Sequence, residues 1–319
     1  MKVETTVVII DDAAANAGDG KGQTIAAVVR EALGGIAWSK AREMVRRGKV
    51  TVDGETAEDP AVRVKAGQEL RITPEGLRRR RGVLEREAIV HLDADVVVVN
   101  KAPGLLSVPY AAGDKDTLVD QTFAALKRKR PPQRSPLGVV QRLDKDTTGL
   151  MVFPRNLAAK RALARQLRDH SVTRSYVAIV HGEAQSQRHE STFIQQRGDG
   201  LRGSWGVYRR PKTKVPPSDA KRAVSHVRVL RRLEGATLIE CRLETGRQHQ
   251  IRIHLSEAGN PLVGERVYIR EWEGEQLEAP RIMLHAQTLG FDHPRTGERV
   301  EFSLPGPEDF QGVLERLKG

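Results

Sequence analysis

The stretch Val139-Val-Gln-Arg-Leu-Asp-Lys-Asp-Thr-Thr-Gly-Leu-Met-Val-Phe153 constrains this chain more than any other. It sets two acids, Asp144 and Asp146, and two cations, Arg142 and Lys145, between the apolar runs Leu137 to Val140 and Leu150 to Phe153. Short apolar runs rich in β-branched residues and punctuated by Gly138 and Gly149 predict buried strand ends on either side of a turn. Such a turn presents its charges at the end of a sheet, where a rigid scaffold can aim them into a cleft. A carboxylate beside a guanidinium stays ionised at neutral pH, which suits a nucleophile or a general base. It suits equally a surface turn with a capping aspartate and a satisfied ion pair. The local pattern does not separate the two readings.

Other alternating runs fix the fold class. Asp95 to Asn100, Val172 to Gly182, Ala223 to Leu230, Ala236 to Glu244 and Ile282 to Phe291 read as strands. Asp116 to Arg130 and Asn156 to Arg168 have helical spacing. Many strands with few helices between them predict an α+β domain, a mixed and largely antiparallel sheet with flanking helices. Residues 184–222 are polar and carry Gly and Pro, so they read as loops or irregular strands on a cleft rim. The run Arg209-Arg-Pro-Lys-Thr-Lys214 offers cations there.

Ahead of this lies a smaller pattern. Thr24 caps a helix with Ile25, Val28, Val29, Ala32 and Leu33 on one face, and Gly34-Gly35 ends it. Ser39 is placed to cap a second helix, with Ala41, Met44 and Val45 inward and Lys40, Arg42, Arg46 and Arg47 outward. Lys49 to Val52 then reads as a strand turning at Asp53-Gly54, and Val62 to Ile72 supplies more strand. The expected order is an opening segment (1–21), a small α/β domain (22–73), an Arg-rich linker (74–88) with the run Arg78 to Arg81, and the large domain (89–319).

Charge narrows the partners. Lys plus Arg number 53 against 41 acids, a net charge of +12 that attracts polyanions, nucleic acid first among them. No run approaches the length of a membrane span, and no basic amphipathic helix with bulky aromatics offers a membrane surface site. The opening residues lack a basic-then-apolar leader, which predicts a cytoplasmic protein. The single cysteine, Cys241, excludes an internal disulfide and a cysteine-built zinc site. His249 and His254 have no carboxylate or cysteine at ligand spacing, so hydrogen-bonded histidines at a helix start are expected, not a metal.

Arg142-Leu-Asp-x-x-Thr-Thr-Gly-Leu150 resembles the signature of the RluA-type pseudouridine synthases. Asn100-Lys-Ala-Pro-Gly-Leu-Leu-Ser-Val-Pro109 resembles that family's early motif. Gly246-Arg-Gln-His-Gln-Ile-Arg-Ile-His-Leu255 with Gly259-Asn-Pro-Leu-Val-Gly264 resembles its late one, and Arg281 to Leu289 with Phe291 to Pro294 resembles its closing strand and turn. The likeness spans roughly residues 90–310. The helix-Gly-Lys-Val-x-Val-x-Gly order resembles the S4-type RNA-binding domain, whose cations, here Lys40, Arg42, Arg46 and Arg47, grip phosphates without reading sequence.

The resemblance implies an isomerase that turns uridine into pseudouridine with no cofactor. It assigns catalysis to Asp144, Tyr176 and Arg252, and substrate contact to Arg142, Lys101, Thr147, His249 and Gln250. It implies RNA as partner, in the branch acting on large-subunit ribosomal RNA, with transfer RNA as the other candidate, and a monomer. A non-catalytic RNA assembly factor and a uracil-releasing glycosylase are the competing functions. The chain departs from the family pattern at Gln141, where His is usual, at Thr148, where Ser is usual, and at Pro154-Arg155-Asn156. Gln141 bears on contacts around the target base.

Overall fold

The computed structural model describes all residues except 1–4, 18–21, 47–48, 54, 58, 74–83, 111–113, 128–136, 198–199, 208–214, 270 and 319. Arg47, the runs Arg78–Arg81 and Arg209–Lys214, and the end of the Lys127–Arg130 run therefore lie outside the described residues, as does the side chain of Arg46. The chain divides into two compact units, 1–82 and 83–319. Among the described residues no helix is long and apolar enough to cross a membrane.

The small unit runs β1 (Thr6–Ile9), α1 (Asp12–Asn16), α2 (Ile25–Ala32), α3 (Trp38–Arg46), β2 (Val50–Val52), β3 (Glu55–Thr56) and β4 (Glu69–Ile72). Thr24 Oγ1 accepts from Ala27 N–H at 3.2 Å, the expected cap of α2. Ile25, Val28 and Val29 pack with Ala41, Met44 and Val45 of α3 over the four-stranded sheet β1-β4-β2-β3. Two expectations change. α3 begins at Trp38, so Ser39 is inside it, not its cap. Thr6–Ile9, placed by sequence in a leading segment, is an edge strand paired with β4. Lys40 and Arg42 are exposed, and the Arg30 guanidinium lies 5.2 Å over the half-exposed Trp38 ring.

The large unit runs β5 (Ile89–Leu92), β6 (Val96–Lys101), α4 (Leu118–Lys127), β7 (Thr148–Pro154), α5 (Leu157–Arg168), β8 (Thr173–His181), β9 (Gln187–Ile194), β10 (Gly203–Ser204), β11 (Lys221–Leu233), β12 (Ala236–Leu243), α6 (Gln250–Glu257), β13 (Leu284–Asp292), β14 (Arg299–Ser303) and α7 (Glu308–Arg316). Its sheet has the order β10-β9-β11-β12-β8-β13-β7-β6-β5, with β14 on β13, and is antiparallel except between β13 and β7. This is the α+β architecture that the alternation predicts.

The middle strands are buried on both faces. Val97, Val99, Met151 and Phe153 point into one core, and Val96, Val98, Leu150 and Val152 into another. That two-residue period across adjacent strands fixes the register, because a one-residue slip would exchange the two sets. Burying the four valines of β6, at about 1.5–3 kcal/mol each, offsets the cost of carrying Lys101 at the strand's end out of water.

Two segments differ from the sequence reading. Leu137 to Val140 is extended coil, not a strand, although Leu137 still joins the core. Residues 187–194, read as loop or irregular strand on the rim, form the regular strand β9, which pairs along its length with β11. At the opposite end of the sheet, Asp93 takes hydrogen bonds from His91, His293 and the backbone of Asp95 and Val96, while Arg295 grips Asp95 at 2.6 and 3.0 Å. These bonds fasten the β13–β14 turn.

Buried neutral histidines give the large unit an acid sensitivity. Burial, with His189 stacked beside it, pushes the His254 imidazole down to about 4 from 6.5. The unfolded chain then binds a proton that the folded chain refuses, so stability falls as pH drops from about 6.5 to about 4. At roughly 1.4 kcal/mol per pKa unit, His254 accounts for at most about 3 kcal/mol of this loss. Thermal unfolding of His254→Gln across this window is expected to show a shallower fall in melting temperature than the wild type. An identical slope would remove His254 as the cause.

Candidate active site

A single row of paired residues crosses five strands under the signature turn. Lys101 on β6 pairs with Gly149 on β7, Gly149 with Ala286 on β13, Ala286 with Tyr176 on β8, and Tyr176 with Cys241 on β12. Gly149 has φ +111°, and a β-carbon there would lie 2.3 Å from the Ala286 carbonyl oxygen. Only glycine lets the parallel strands β7 and β13 approach where the turn enters the sheet.

Three polar side chains from distant segments hold the turn's backbone. The Lys101 ammonium, fully buried, donates to the carbonyls of Ala102 (3.0 Å), Lys145 (2.6 Å) and Thr147 (2.9 Å). Burial pulls this ammonium down to about 7. Three accepting carbonyls nevertheless require all three of its protons, and only the charged form carries them. Ser107 Oγ donates to the Leu143 carbonyl at 2.7 Å and accepts from the Leu143 N–H at 3.0 Å. Arg281 donates to the Asp146 carbonyl at 3.2 Å while its other nitrogens grip Asp309.

The side chain so placed is Asp144, partly exposed at the wall of a cavity of about 850 Å³. Arg252 Nη1 lies 3.8 Å from Asp144 Oδ2, and His249 Nε2 lies 3.9 Å from Oδ1. These distances are beyond hydrogen-bond range, so the Arg252 charge steers the carboxylate without occupying its lone pairs, and the His249 ring flanks it. Arg252 is itself fixed by Glu265, which accepts from Nε and Nη2 at 2.7 Å each. Burial pushes the Glu265 carboxyl up, but the bonds from Arg252 and from the backbone of Val267 and Tyr268 outweigh it and leave it below its ordinary value.

Tyr268 backs the wall. Its hydroxyl meets His249 Nδ1 at 2.8 Å, and its ring lies 5.2 Å under the Arg252 guanidinium. His249 initiates α6 in the left-handed region, φ +58°, and burial keeps its imidazole below its usual range. Tyr176, nearly buried on β8, lines the same cavity, and burial pushes its phenol up to about 12. At neutral pH it is therefore a neutral ring with a hydroxyl donor, not a ready base.

Of the expected site residues, Asp144, Tyr176, Arg252, Arg142, Thr147, His249 and Gln250 all line this cavity. Arg142, exposed, also borders an adjoining hollow of about 190 Å³ under residues 106–110. Two of the expected substrate contacts have their polar atoms engaged in bonds within the protein. Lys101 lines neither cavity, because its donors are spent on the turn. Gln250 has both amide ends engaged, by Thr245 and Arg247 N–H at its oxygen and by Val224 and Ser225 at its nitrogen. His254 is held between Ser191 and Ser225, away from any metal role with His249. Sequence reasoning passed over Glu265, Tyr268 and Ser107; the acid directly after Gly264 was the available signal.

Comparison with known proteins agrees with this geometry. Residues 95–257 match the RNA pseudouridylate synthase family, and residues 25–70 match the S4 domain. The chain is 37% identical to an uncharacterised RNA pseudouridine synthase of Bacillus subtilis, over 88% of this chain and 90% of that protein. It is 37% identical to ribosomal large subunit pseudouridine synthase D of Pseudomonas aeruginosa, over 86% of this chain and 85% of that one. It is 38% identical to the protein of the same name in Zymomonas mobilis, over 72% of each. Its fold resembles that of human RNA pseudouridylate synthase domain containing 4, with a TM-score of 0.60 at 24% identity, over 72% of this chain and 93% of that one. The chain thus belongs to the RNA pseudouridylate synthase family, with an S4 RNA-binding domain ahead of the catalytic unit.

Proposed function

We propose that this protein isomerises particular uridines of large-subunit ribosomal RNA to pseudouridine, acting as a cytoplasmic monomer. The observation that carries the chemistry is Asp144, pinned by its backbone and steered by Arg252, with His249 beside it, at the wall of a cavity large enough for a nucleotide. The names of the Pseudomonas and Zymomonas relatives support the choice of RNA.

Asp144 is the nucleophile. A carboxylate oxygen attacks C1′ of the ribose, as in retaining glycosidases, and the N1–C1′ bond breaks with its electron pair left on uracil. The base turns in the cavity, C5 attacks C1′, and the ester bond to Asp144 breaks. C5 then loses its proton and N1 gains one, so no redox step and no group donor enter. Arg252 and Glu265 hold the carboxylate in line. Tyr176, neutral, packs against the base and confines its rotation. Extruding a stacked uridine costs a few kcal/mol, which contacts from Arg142 and from Lys40 and Arg42 of the small unit offset.

Carbodiimide-stop sequencing of RNA from cells with and without the protein tests the reading. A protein-dependent stop in large-subunit ribosomal RNA is expected. A stop confined to transfer RNA would move the substrate, and no stop anywhere would leave an assembly factor. Asp144→Asn should bind RNA like the wild type yet lose tritium release from [5-³H]uridine RNA by at least roughly 10³-fold. Retained activity in that variant would exclude Asp144 as nucleophile.

Lys101→Met should leave RNA affinity within about threefold while lowering kcat about 100-fold or more, since a 1 Å misplacement of a reacting group costs that much. It should also lower the melting temperature, because three carbonyls lose their buried donor. A Lys101→Met protein that weakens RNA binding and keeps kcat would make Lys101 a substrate contact after all.

A further inference from the structure

Five arginines line the large cavity, against one aspartate. Arg252 is answered by Glu265 and Asp144. Among the described residues no carboxylate pairs with the other four, and two of those, Arg174 on β8 and Arg247 ahead of α6, line the same cavity near enough for the Arg247 charge to act on Arg174. Burial, with a smaller contribution from the Arg247 charge, holds the Arg174 guanidinium below its ordinary value. Like charges brought together in a partly buried wall are unfavourable unless something else keeps them there.

What keeps them is the backbone. Arg174 Nη2 donates to the Glu244 carbonyl at 2.9 Å, and Arg247 Nε donates to the Arg222 carbonyl at 2.9 Å. The Glu244 carboxylate, which could have neutralised the pair, is directed to His226, with Arg188 and Arg222 near it. Arg174 Nη1 occupies the space where a side chain at Gly246 would begin, 2.6 Å from an ideal β-carbon. Arg174 Nε is buried with no partner. Carbonyls fix both guanidiniums in direction and leave their charge uncompensated. A rigid, doubly positive, donor-rich surface of this kind matches a tetrahedral oxyanion with several acceptors.

We propose that Arg174 and Arg247 form a cradle for a phosphodiester of the substrate strand next to the target uridine, and act as positioning residues for the isomerisation. The reaction supplies the reason. Uracil leaves C1′ and must turn before it rejoins, so it cannot be held tightly through its own polar edge. The ribose must stay still over Asp144 meanwhile, and a grip on its phosphate does this without opposing rotation of the base. Binding energy from a part of the substrate that does not react then serves the chemical step. The proposal rests on the isomerase assignment but not on which RNA is the target.

The test uses total RNA from cells lacking the enzyme, labelled with [5-³H]uridine, so that every candidate target is present. Tritium release is measured for wild type, Arg247→Met, Arg174→Met and Arg174→Lys over a range of salt, with melting temperatures alongside. Arg247 is exposed, so its variant tests the cradle without a folding risk. Both Met variants are expected to raise KM roughly tenfold or more and to lower the slope of log KM against log salt by about 0.7, the value for one phosphate on a single strand. Arg174→Lys should fall between, since it keeps charge and loses the fork. The proposal is overturned by an unchanged KM and salt slope in Arg247→Met. It is overturned equally if Arg174→Lys matches Arg174→Met with kcat reduced and KM fixed, the signature of packing alone. Loss of tritium release in the wild type itself would instead strike the isomerase assignment.

Discussion

The buried ammonium of Lys101 is the contact on which the catalytic geometry depends. A lysine at a strand end would normally reach for water, and here it is sealed in at a cost that only complete hydrogen bonding offsets. Three carbonyls supply that bonding, two of them from the turn that carries Asp144. The turn cannot relax without leaving the charge unsatisfied, so its conformation is tied to the stability of the core beneath it. Ser107 and Arg281 add bonds to Leu143 and Asp146, from opposite sides in sequence. Asp144 is thus held through its backbone, while its carboxylate faces the cavity with its oxygens clear of any hydrogen bond from Arg252 or His249.

That division between a bonded backbone and a steered side chain explains the Arg252–Glu265 pair. If Arg252 closed directly on Asp144 in a bidentate clamp, the carboxylate would be held but blunted, because its lone pairs would already be shared. Glu265 takes the clamp instead, at 2.7 Å through two nitrogens. One guanidinium nitrogen is left to project its charge 3.8 Å toward Asp144. Gly264, with φ +82° and no room for a β-carbon against the Arg281 carbonyl, lets the chain turn tightly enough to bring Glu265 there. The positive charge is anchored on an acid that does no chemistry.

The sequence made legible what is local. Arg142 to Leu150, Tyr176 on its alternating strand and Arg252 on its short helix could be read because each lies within a contiguous motif. The bonding of Lys101 could not be read, because two of its partners are 44 and 46 residues away and are backbone atoms with no sequence signature. Glu265 escaped for a similar reason, since its pairing with Arg252 spans 13 residues across a loop. The two departures in strand placement have opposite causes. Leu137 to Val140 is apolar enough for a strand but only tucks Leu137 into the core. Residues 187–194 are polar on most positions, yet pairing with β11 and cross-strand contacts such as Arg222 with Glu190 make them one. An apolar pattern reports burial, and a sheet margin can form without it.

The cavity separates its tasks by charge. Tyr176, its phenol raised to about 12 by burial, gives the cavity a neutral wall. The cations stand instead around that wall, at Arg142, Arg168, Arg174 and Arg247, where the proposed phosphate grip would lie. A site that gripped uracil itself with charged groups would stabilise the detached base in one orientation and so resist the rotation that distinguishes isomerisation from simple glycosidic cleavage. Holding the backbone and leaving the base loosely enclosed lowers the barrier to turning while keeping the fragments together. The same arrangement makes affinity a property of the sugar–phosphate chain, which every RNA shares. Choice among uridines must then come from which nucleotide can leave its stack and reach Asp144, where the cost of extrusion differs from site to site.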